Sequence, residues 1–288
     1  MNNLISAKNL TCRFGSTIAV NNLSFNLNSG SILGFIGPNG SGKTTTLRML
    51  LGLIPPDSGE SVVLECPSLK LTPAIKERIG YVPEEDGLYG WKSVEKMLKF
   101  HGDFYPKYDH NYGKKLLEKF QLPPKTLVSR LSKGSKRRLS VVLALATKPD
   151  LLILDEPAAG FDPAIRRVLL DCLAEFVRDG NRSVLISTHI LTDIERVADQ
   201  IAIIRNGSLL LQKNLDELRD KCKILIFDNN VNREKIEKEF RILKWNESDD
   251  NVEVVVDNFA ENHNLSIREI YPMNLEDIFV HLAVQSNE

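Results

Sequence analysis

The chain has 288 residues, 42% hydrophobic and 26% charged, a balance that suits a folded protein with a substantial core and excludes a disordered or low-complexity one. A formal net charge of −1 gives no global pull toward nucleic acid, so no nucleic-acid partner is expected. No run reaches the ~18 apolar residues a membrane-crossing helix needs, and Met1-Asn2-Asn3-Leu4 starts no basic-then-apolar secretory signal. Cys12, Cys66, Cys172 and Cys222 are scattered without metal-ligand spacing and read as reduced thiols.

In chain order, alternating apolar positions from Ile5 to Leu10 and from Ala19 to Leu27 predict β-structure over 3–30, broken at Arg13-Phe14-Gly15-Ser16. Residues 31–36 read as a short buried strand. Gly37-Pro38-Asn39-Gly40-Ser41-Gly42-Lys43-Thr44 follows and fits G-x-x-x-x-G-K-[ST]. In that pattern the glycines let successive amides curl around a polyphosphate, the lysine reaches the β/γ-phosphates, and the threonine hydroxyl faces Mg²⁺. A helix over 45–51 points its N-terminus at the same place. Pro55-Pro56-Asp57-Ser58-Gly59 reads as a stop and turn, and a strand is expected over 78–82.

From 92 to 147 the pattern becomes helical, with helices expected over 93–100, 109–120 and 135–147. Strand–helix alternation returns with strands at 151–154 and 183–187, helices at 163–178 and 191–198, and a hairpin turned at Asn206-Gly207. Parallel strands joined by helices imply an α/β sheet with its ligand at the carboxyl ends of the strands. Residues 220–288 break from this plan and read as a small α+β appendage to a domain spanning 1–219.

Leu151-Leu152-Ile153-Leu154-Asp155-Glu156-Pro157 places two acids at the end of an apolar run. Alone, Asp-Glu is a solvated turn. Paired with the phosphate loop, Asp155 suits the Mg²⁺ shell and Glu156 suits polarising a water. Lys133, Lys136, Arg137 and Arg138 cluster without interleaved aromatics, which favours a solvated or phosphate-facing helix start over a nucleic-acid surface.

The phosphate loop, Leu131-Ser132-Lys133-Gly134-Ser135, the acidic strand end, Gly160-Phe161-Asp162-Pro163 and Ser187-Thr188-His189 occur together in one order. That set, over residues 1 to about 215, resembles the ATP-binding cassette (ABC) ATPases. The resemblance implies a P-loop core with an antiparallel β subdomain and a helical subdomain at about 88–147, ATP and Mg²⁺ as ligands, and ATP hydrolysis between two head-to-tail domains. It implies that residues 37–45, Thr45 included, hold the phosphates and that Phe14 stacks on adenine, although Phe14 by itself could equally be core. Ser132 and Gly134 would cap the partner's γ-phosphate, Asp162 would link the two sites, and His189 would contact the γ-phosphate beside Glu156 and Lys43. Glu84 stands near the metal, where the family usually has glutamine. Lys133 and Ser135 depart from Leu-Ser-Gly-Gly-Gln, and Ala158-Ala159 from Thr-Ser or Ser-Ala.

Tyr81-Val82-Pro83-Glu84-Glu85-Asp86-Gly87-Leu88-Tyr89, Phe104-Tyr105-Pro106-Lys107-Tyr108-Asp109 and Asn274-Leu275-Glu276-Asp277-Ile278-Phe279 are similar to bacterial members that power separately encoded membrane exporters. The expected partners are a multi-spanning membrane subunit and a second cassette, identical or not, with the chain peripheral on the inner face of the cell membrane. The aromatic-rich stretch 88–108 is either plain core or, as favoured here, the docking surface for that subunit. The rival readings are a soluble relative acting on ribosomes or DNA, against which stand the single phosphate loop and the lack of heptads, and a weakly hydrolysing regulatory module. A guanine-reading Asn-Lys-x-Asp element does not occur.

Overall fold

The computed structural model describes residues 3–85 and 87–285; Met1, Asn2, Asp86 and residues 286–288 lie outside the described residues, Asp86 being part of the 81–89 segment quoted above. Two compact units are present, Met1–Gln212 and Lys213–Glu288, dividing upstream of the expected 219/220 boundary.

The first unit opens with an antiparallel sheet. The β-structure expected over 3–30 is β1 (Asn3–Phe14) and β2 (Thr17–Asn28), an antiparallel hairpin in which Phe14 pairs with Thr17. β3 (Ile32–Ile36) leads through the phosphate loop into α1 (Lys43–Leu50). Where a stop and turn were expected at 55–59, the chain instead enters β4 (Ser58–Val63) at Ser58, followed by β5 (Cys66–Pro67). The sheet order is β2-β1-β4-β5. Ser58, Gly59, Glu60 and Ser61 carry no apolar alternation. Their strand conformation comes from pairing with β1, Ser61 against Ala7 and Val63 against Ile5.

After α2 (Pro73–Lys76) and β6 (Ile79–Val82), three helices follow: α3 (Val94–Gly102), α4 (His110–Lys119) and α5 (Lys133–Ala146). They pack on one another. Ser93, Asp109 and Ser132 cap them by accepting from the backbone amides of Lys96, Tyr112 and Ser135. β7 (Leu151–Asp155), α6 (Pro163–Val177), β8 (Ser183–Thr188), α7 (Leu191–Val197), β9 (Gln200–Arg205) and β10 (Ser208–Asn214) complete the α/β plan. The second sheet runs β10-β9-β3-β8-β7-β6, and β9, β3, β8, β7 and β6 are paired in parallel. Every residue of β3, β7 and β8 is buried, which is why their centres read as short apolar runs. Phe25 of β2 meets Phe35 of β3 with ring centroids 5.0 Å apart, within a core shared by both sheets and α1. At the β9–β10 turn Asn206 and Gly207 both have positive φ, 49° and 78°, as a type I′ hairpin requires.

The second unit contains α8 (Leu215–Lys221), β11 (Lys223–Phe227), α9 (Arg233–Glu239), β12 (Ile242–Glu247), β13 (Val252–Val256), β14 (Glu269–Pro272) and α10 (Leu275–Gln285). Its sheet order is β12-β13-β11-β14, antiparallel throughout, around Leu225, Phe227, Ile236, Phe240 and Val254.

Within the helical region His101 stacks on Tyr105 at 4.9 Å and lies 5.9 Å from Tyr108. Burial pushes the imidazole pKa down from 6.5 to about 4. Burial also raises the pKa of Tyr105 and Tyr108, so both phenols stay neutral in acid. The unfolded chain therefore takes up a proton at His101 that the folded chain refuses. Stability contributed by the neutral ring is complete above pH ~6.5 and is lost as the pH falls toward ~4, by about 1–3 kcal/mol. His101→Phe is expected to flatten that part of the pH dependence, read from denaturation midpoints at about pH 7 and about pH 5.

Candidate nucleotide-binding site

The loop between β3 and α1 owes its shape to two close approaches. Gly42 sits at φ 99°, and a Cβ there would meet the Ala19 carbonyl oxygen at 2.4 Å. A Cβ on Gly37 would meet the Ile204 carbonyl oxygen at 2.4 Å and Ser41 Oγ at 2.5 Å. Side chains are excluded at both positions, so β2 and β9 press directly on the loop backbone. The hairpin turn adds a further tie, the Gly207 amide donating to the Ser41 carbonyl at 3.1 Å.

Lys43 is buried. Its Nζ donates to the Gly37 carbonyl at 2.7 Å and the Pro38 carbonyl at 3.2 Å, and lies 3.4 Å from Glu156 Oε1. Glu156 Oε2 is 2.9 Å from His189 Nδ1. Glu156 follows β7 with a left-handed backbone, φ 48°, uncommon for a residue other than glycine. Its amide is held by Ser187, donating to Oγ at 3.1 Å and to the carbonyl at 3.2 Å. The Ser187 hydroxyl donates in turn to Asp155 Oδ1 at 2.6 Å. One serine on β8 thus orients both acids, Asp155 at the end of β7 and Glu156 just after it. The sequence reading placed Ser187 in a motif but gave it no role.

These groups face a cleft of about 400 Å³ lined by Phe14, Ala19, residues 39–45, Glu84 and Glu156. Phe14 is 57% exposed at its rim, so it is not core. Of the expected residues, Phe14, Asn39 to Thr45, Glu84 and Glu156 line one cleft. Gly37 and Pro38 meet Lys43, and His189 and Asp155 connect through Glu156 and Ser187. Ser132, Gly134 and Asp162 are not among the lining residues. Ser132 caps α5, Asp162 caps α6 by accepting from the Ile165 amide at 3.0 Å, and a Cβ on Gly134 would lie 2.9 Å from the Gly160 carbonyl oxygen. Those three therefore gather at a second locality, built by the starts of two helices.

Among the described residues of the site, Ser41 Oγ, Asp155 Oδ2 and Glu156 Oε1 are buried without a hydrogen-bond partner, the last facing the Lys43 ammonium at 3.4 Å. A buried carboxylate oxygen with no protein donor suits a hard cation. Among the described residues no group of three or more His, Cys, Asp or Glu side chains could hold a metal alone. That donor set fits Mg²⁺, which binds through one or two carboxylates together with substrate phosphates rather than in an all-protein cage.

Arg137 corrects the reading of the 133–138 cluster as solvated or phosphate-facing. It is 2% exposed, and its Nη1 donates to the Pro83 carbonyl at 2.8 Å and the Asp155 carbonyl at 3.1 Å. Arg138 is held at Nη1 by the Phe120 carbonyl, 3.0 Å, and at Nη2 by Ser135 Oγ, 2.7 Å. Arg137 thereby ties α5 to the segment that carries Glu84 and to the end of β7. Arg137→Met would leave both carbonyls without that donor. The expected loss is about 2–4 kcal/mol, measured as a shift in the urea midpoint.

The ABC transporter family profile matches residues 20–159. The ABC transporter ATP-binding protein YtrB of Bacillus subtilis (strain 168) is 30% identical over 286 residues, covering 96% of this chain and 97% of that protein. The bacitracin transport ATP-binding protein BcrA of Bacillus licheniformis is 36% identical over 223 residues, covering 77% and 73%. Among solved structures, an ATP-binding subunit of an ABC transporter superposes with a TM-score of 0.69 at 29% identity, covering 75% of this chain and 92% of that one. The dimeric cassette MJ0796 gives 0.67 at 20% identity, covering 73% and 98%, and speaks for the fold alone. The chain belongs to the ABC transporter family. It is an ATP-binding subunit of that family, an ATPase whose relatives are of bacterial exporter type.

Proposed function

We propose that this subunit hydrolyses Mg-ATP as one half of a head-to-tail cassette pair and drives a separately encoded membrane exporter. The observation that carries the proposal is the meeting of Lys43 and Glu156 at 3.4 Å, with His189 on the far oxygen of the same carboxylate. A triphosphate entering the cleft competes for the Lys43 ammonium. Lys43 then turns from Glu156 to the β/γ-phosphates, and Glu156 is released to act on water. Glu156 accepts a proton as that water's oxygen bonds to the γ-phosphorus, while the bond from phosphorus to the β-bridging oxygen breaks to give ADP and phosphate. His189 holds Oε2 so that Oε1 points into the cleft. The amides of 39–45 and the start of α1 stabilise the developing charge. Thr44, Asp155 and Glu84 are the residues that would hold Mg²⁺, which when bound neutralises charge on the phosphate oxygens.

Phe14 at the rim would carry the adenine. Ser132, Gly134 and Asp162 sit away from their own cleft, which supports the reading that they complete the site of a second cassette, identical or not. The signature's Lys133 adds a cation at the same helix start. Residues 88–147 would form the helical subdomain, with 88–108 the surface that meets the membrane subunit at the inner face of the membrane; residues 220–288 would form an accessory domain. A relative described as serving Nod factor export supports outward transport.

Glu156→Gln keeps the shape of the side chain and removes the base. Steady-state turnover is expected to fall about 10²–10⁴-fold while ATP remains bound. Wild-type turnover in this variant, assayed by phosphate release alongside retention of labelled nucleotide, would remove Glu156 from the catalytic role.

A further inference from the structure

Behind the nucleotide cleft, two charged side chains on neighbouring helices face each other in the interior. Arg166 on α6 and Asp193 on α7 approach at 3.6 Å, Nε to Oδ2. Both atoms are buried and neither has a hydrogen-bond partner. The Asp193 side chain is 8% exposed and that of Arg166 30%. Burial raises the Asp193 pKa, and the charges of Arg166 and then Arg196 oppose the rise. A pair kept for stability alone would gain from closing to hydrogen-bond distance, or from replacement by apolar side chains. What sets this pair apart is where its two ends lie.

Arg166 is one turn into α6. Its amide donates to the Asp162 carbonyl at 2.9 Å, and the Asp162 side chain caps the same turn. Asp193 is in the first turn of α7, four residues beyond His189. The cap position of α7 is Ile190, which offers no side-chain acceptor to that turn. Ile190 donates its own amide to Thr188 Oγ1 at 3.0 Å. Toward the sheet there is no slack, since a Cβ on Gly34 of β3 would come within 2.6 Å of Ile194 Cγ2. Contact with β3 therefore fixes the height of α7 above the sheet, and Arg166 fixes where its first turn lies beside α6. The His189 side chain is half exposed, with Glu156 the partner of its ring. The ring goes where the start of α7 carries it.

We infer that Arg166 and Asp193 are positioning residues, a pair that holds the start of α7 to the start of α6 so that the His189 ring meets Glu156 Oε2. Neither side chain lines the cleft. Two formal charges in a low-dielectric interior define one separation between the helices, where apolar contacts would tolerate sliding. The inference rests on the reading of His189 as the residue that holds Glu156, and adds what aims His189.

The test uses the full chain with its histidine nitrogens isotopically labelled for NMR. The His189 ring, one of five in the chain, is assigned by its loss in His189→Gln. At about pH 8 a ring whose Nδ1 faces a carboxylate keeps its proton on Nδ1, whereas a ring released to water favours Nε2. The wild type is expected to show the Nδ1–H form. Asp193→Asn keeps the shape, removes the charge and is expected to shift the ring to the Nε2–H form. Asp193→Glu keeps the charge and is expected to restore the wild-type signal. Turnover of Asp193→Asn is expected to fall about tenfold, inside the hundredfold that a misplacement of ~1 Å can cost, with nucleotide affinity unchanged. Arg166→Gln is expected to do the same, and it carries the test if Asp193→Asn melts below the assay temperature. In the double variant the two losses are expected not to add.

A wild-type ring already in the Nε2–H form overturns the inference, as does a His189 signal unmoved by Asp193→Asn and Arg166→Gln, whatever the turnover. Failure of Asp193→Glu to restore the signal, additive losses in the double variant, a matching loss of nucleotide affinity, or unfolding of both single variants marks a purely structural pair and also overturns it. A displaced ring with wild-type turnover upholds the positioning and removes His189 from hydrolysis, so the two readings fail separately.

Discussion

A buried ammonium group governs this structure. Lys43 sits at the first turn of α1, withdrawn from water, and can remain charged there only if oxygens surround it. Two come from the loop that precedes it, Gly37 and Pro38, and one from Glu156 at the end of β7. The loop must therefore fold back on its own lysine, and the strand bearing Glu156 must end beside it. Ser187 on β8 fixes that ending by gripping both Asp155 and the Glu156 amide. The geometry of the candidate site and the solvation of one buried charge are the same arrangement, so the site is preorganised by a requirement of folding.

Arg137 extends the arrangement outward. It is a second buried cation, and its known acceptors are backbone carbonyls on two different segments. The start of α5, which Ser132 caps, is thereby connected through one side chain to the residue after β6 and to the end of β7. Displacement of that helix start is felt at the Pro83 and Asp155 carbonyls, one residue from Glu84 and one from Glu156. Such a connection offers a physical route between the face that would meet a second cassette and the carboxylate at the centre of the first.

The sequence made the central sheet legible because full burial writes itself as apolar runs, as in 151–154 and 184–186. The phosphate loop was legible because glycines are needed where neighbouring carbonyls leave no room for a Cβ. β4 was not legible. Ser58, Gly59 and Glu60 become a strand through partners on β1 that are distant in the chain. The short strands β12 and β14 escaped for the same reason, held by β13 and β11 in a sheet no local pattern announces. Arg137 was misread since a solvated arginine and a buried one look alike in a basic run. The available signal was helical spacing, which puts Arg137 on the stripe of Val141 and Ala144, both buried. The grouping of Ser132, Gly134 and Asp162 apart from the cleft followed from family resemblance and not from any spacing in the chain.

The order of the central sheet has a consequence for how the chain can be divided. The segment that matches the family profile, 20–159, includes β3 and β7 but ends before β8 and β9. β8 is the strand that lies between β3 and β7, and β9 flanks β3 on its other side. Cut out alone, the most recognisable stretch would hold its glycines, its lysine and both acids on strands with no neighbour between them. The serine that aims those acids and the turn that braces the loop would be missing. What identifies the protein and what folds it are different lengths of chain.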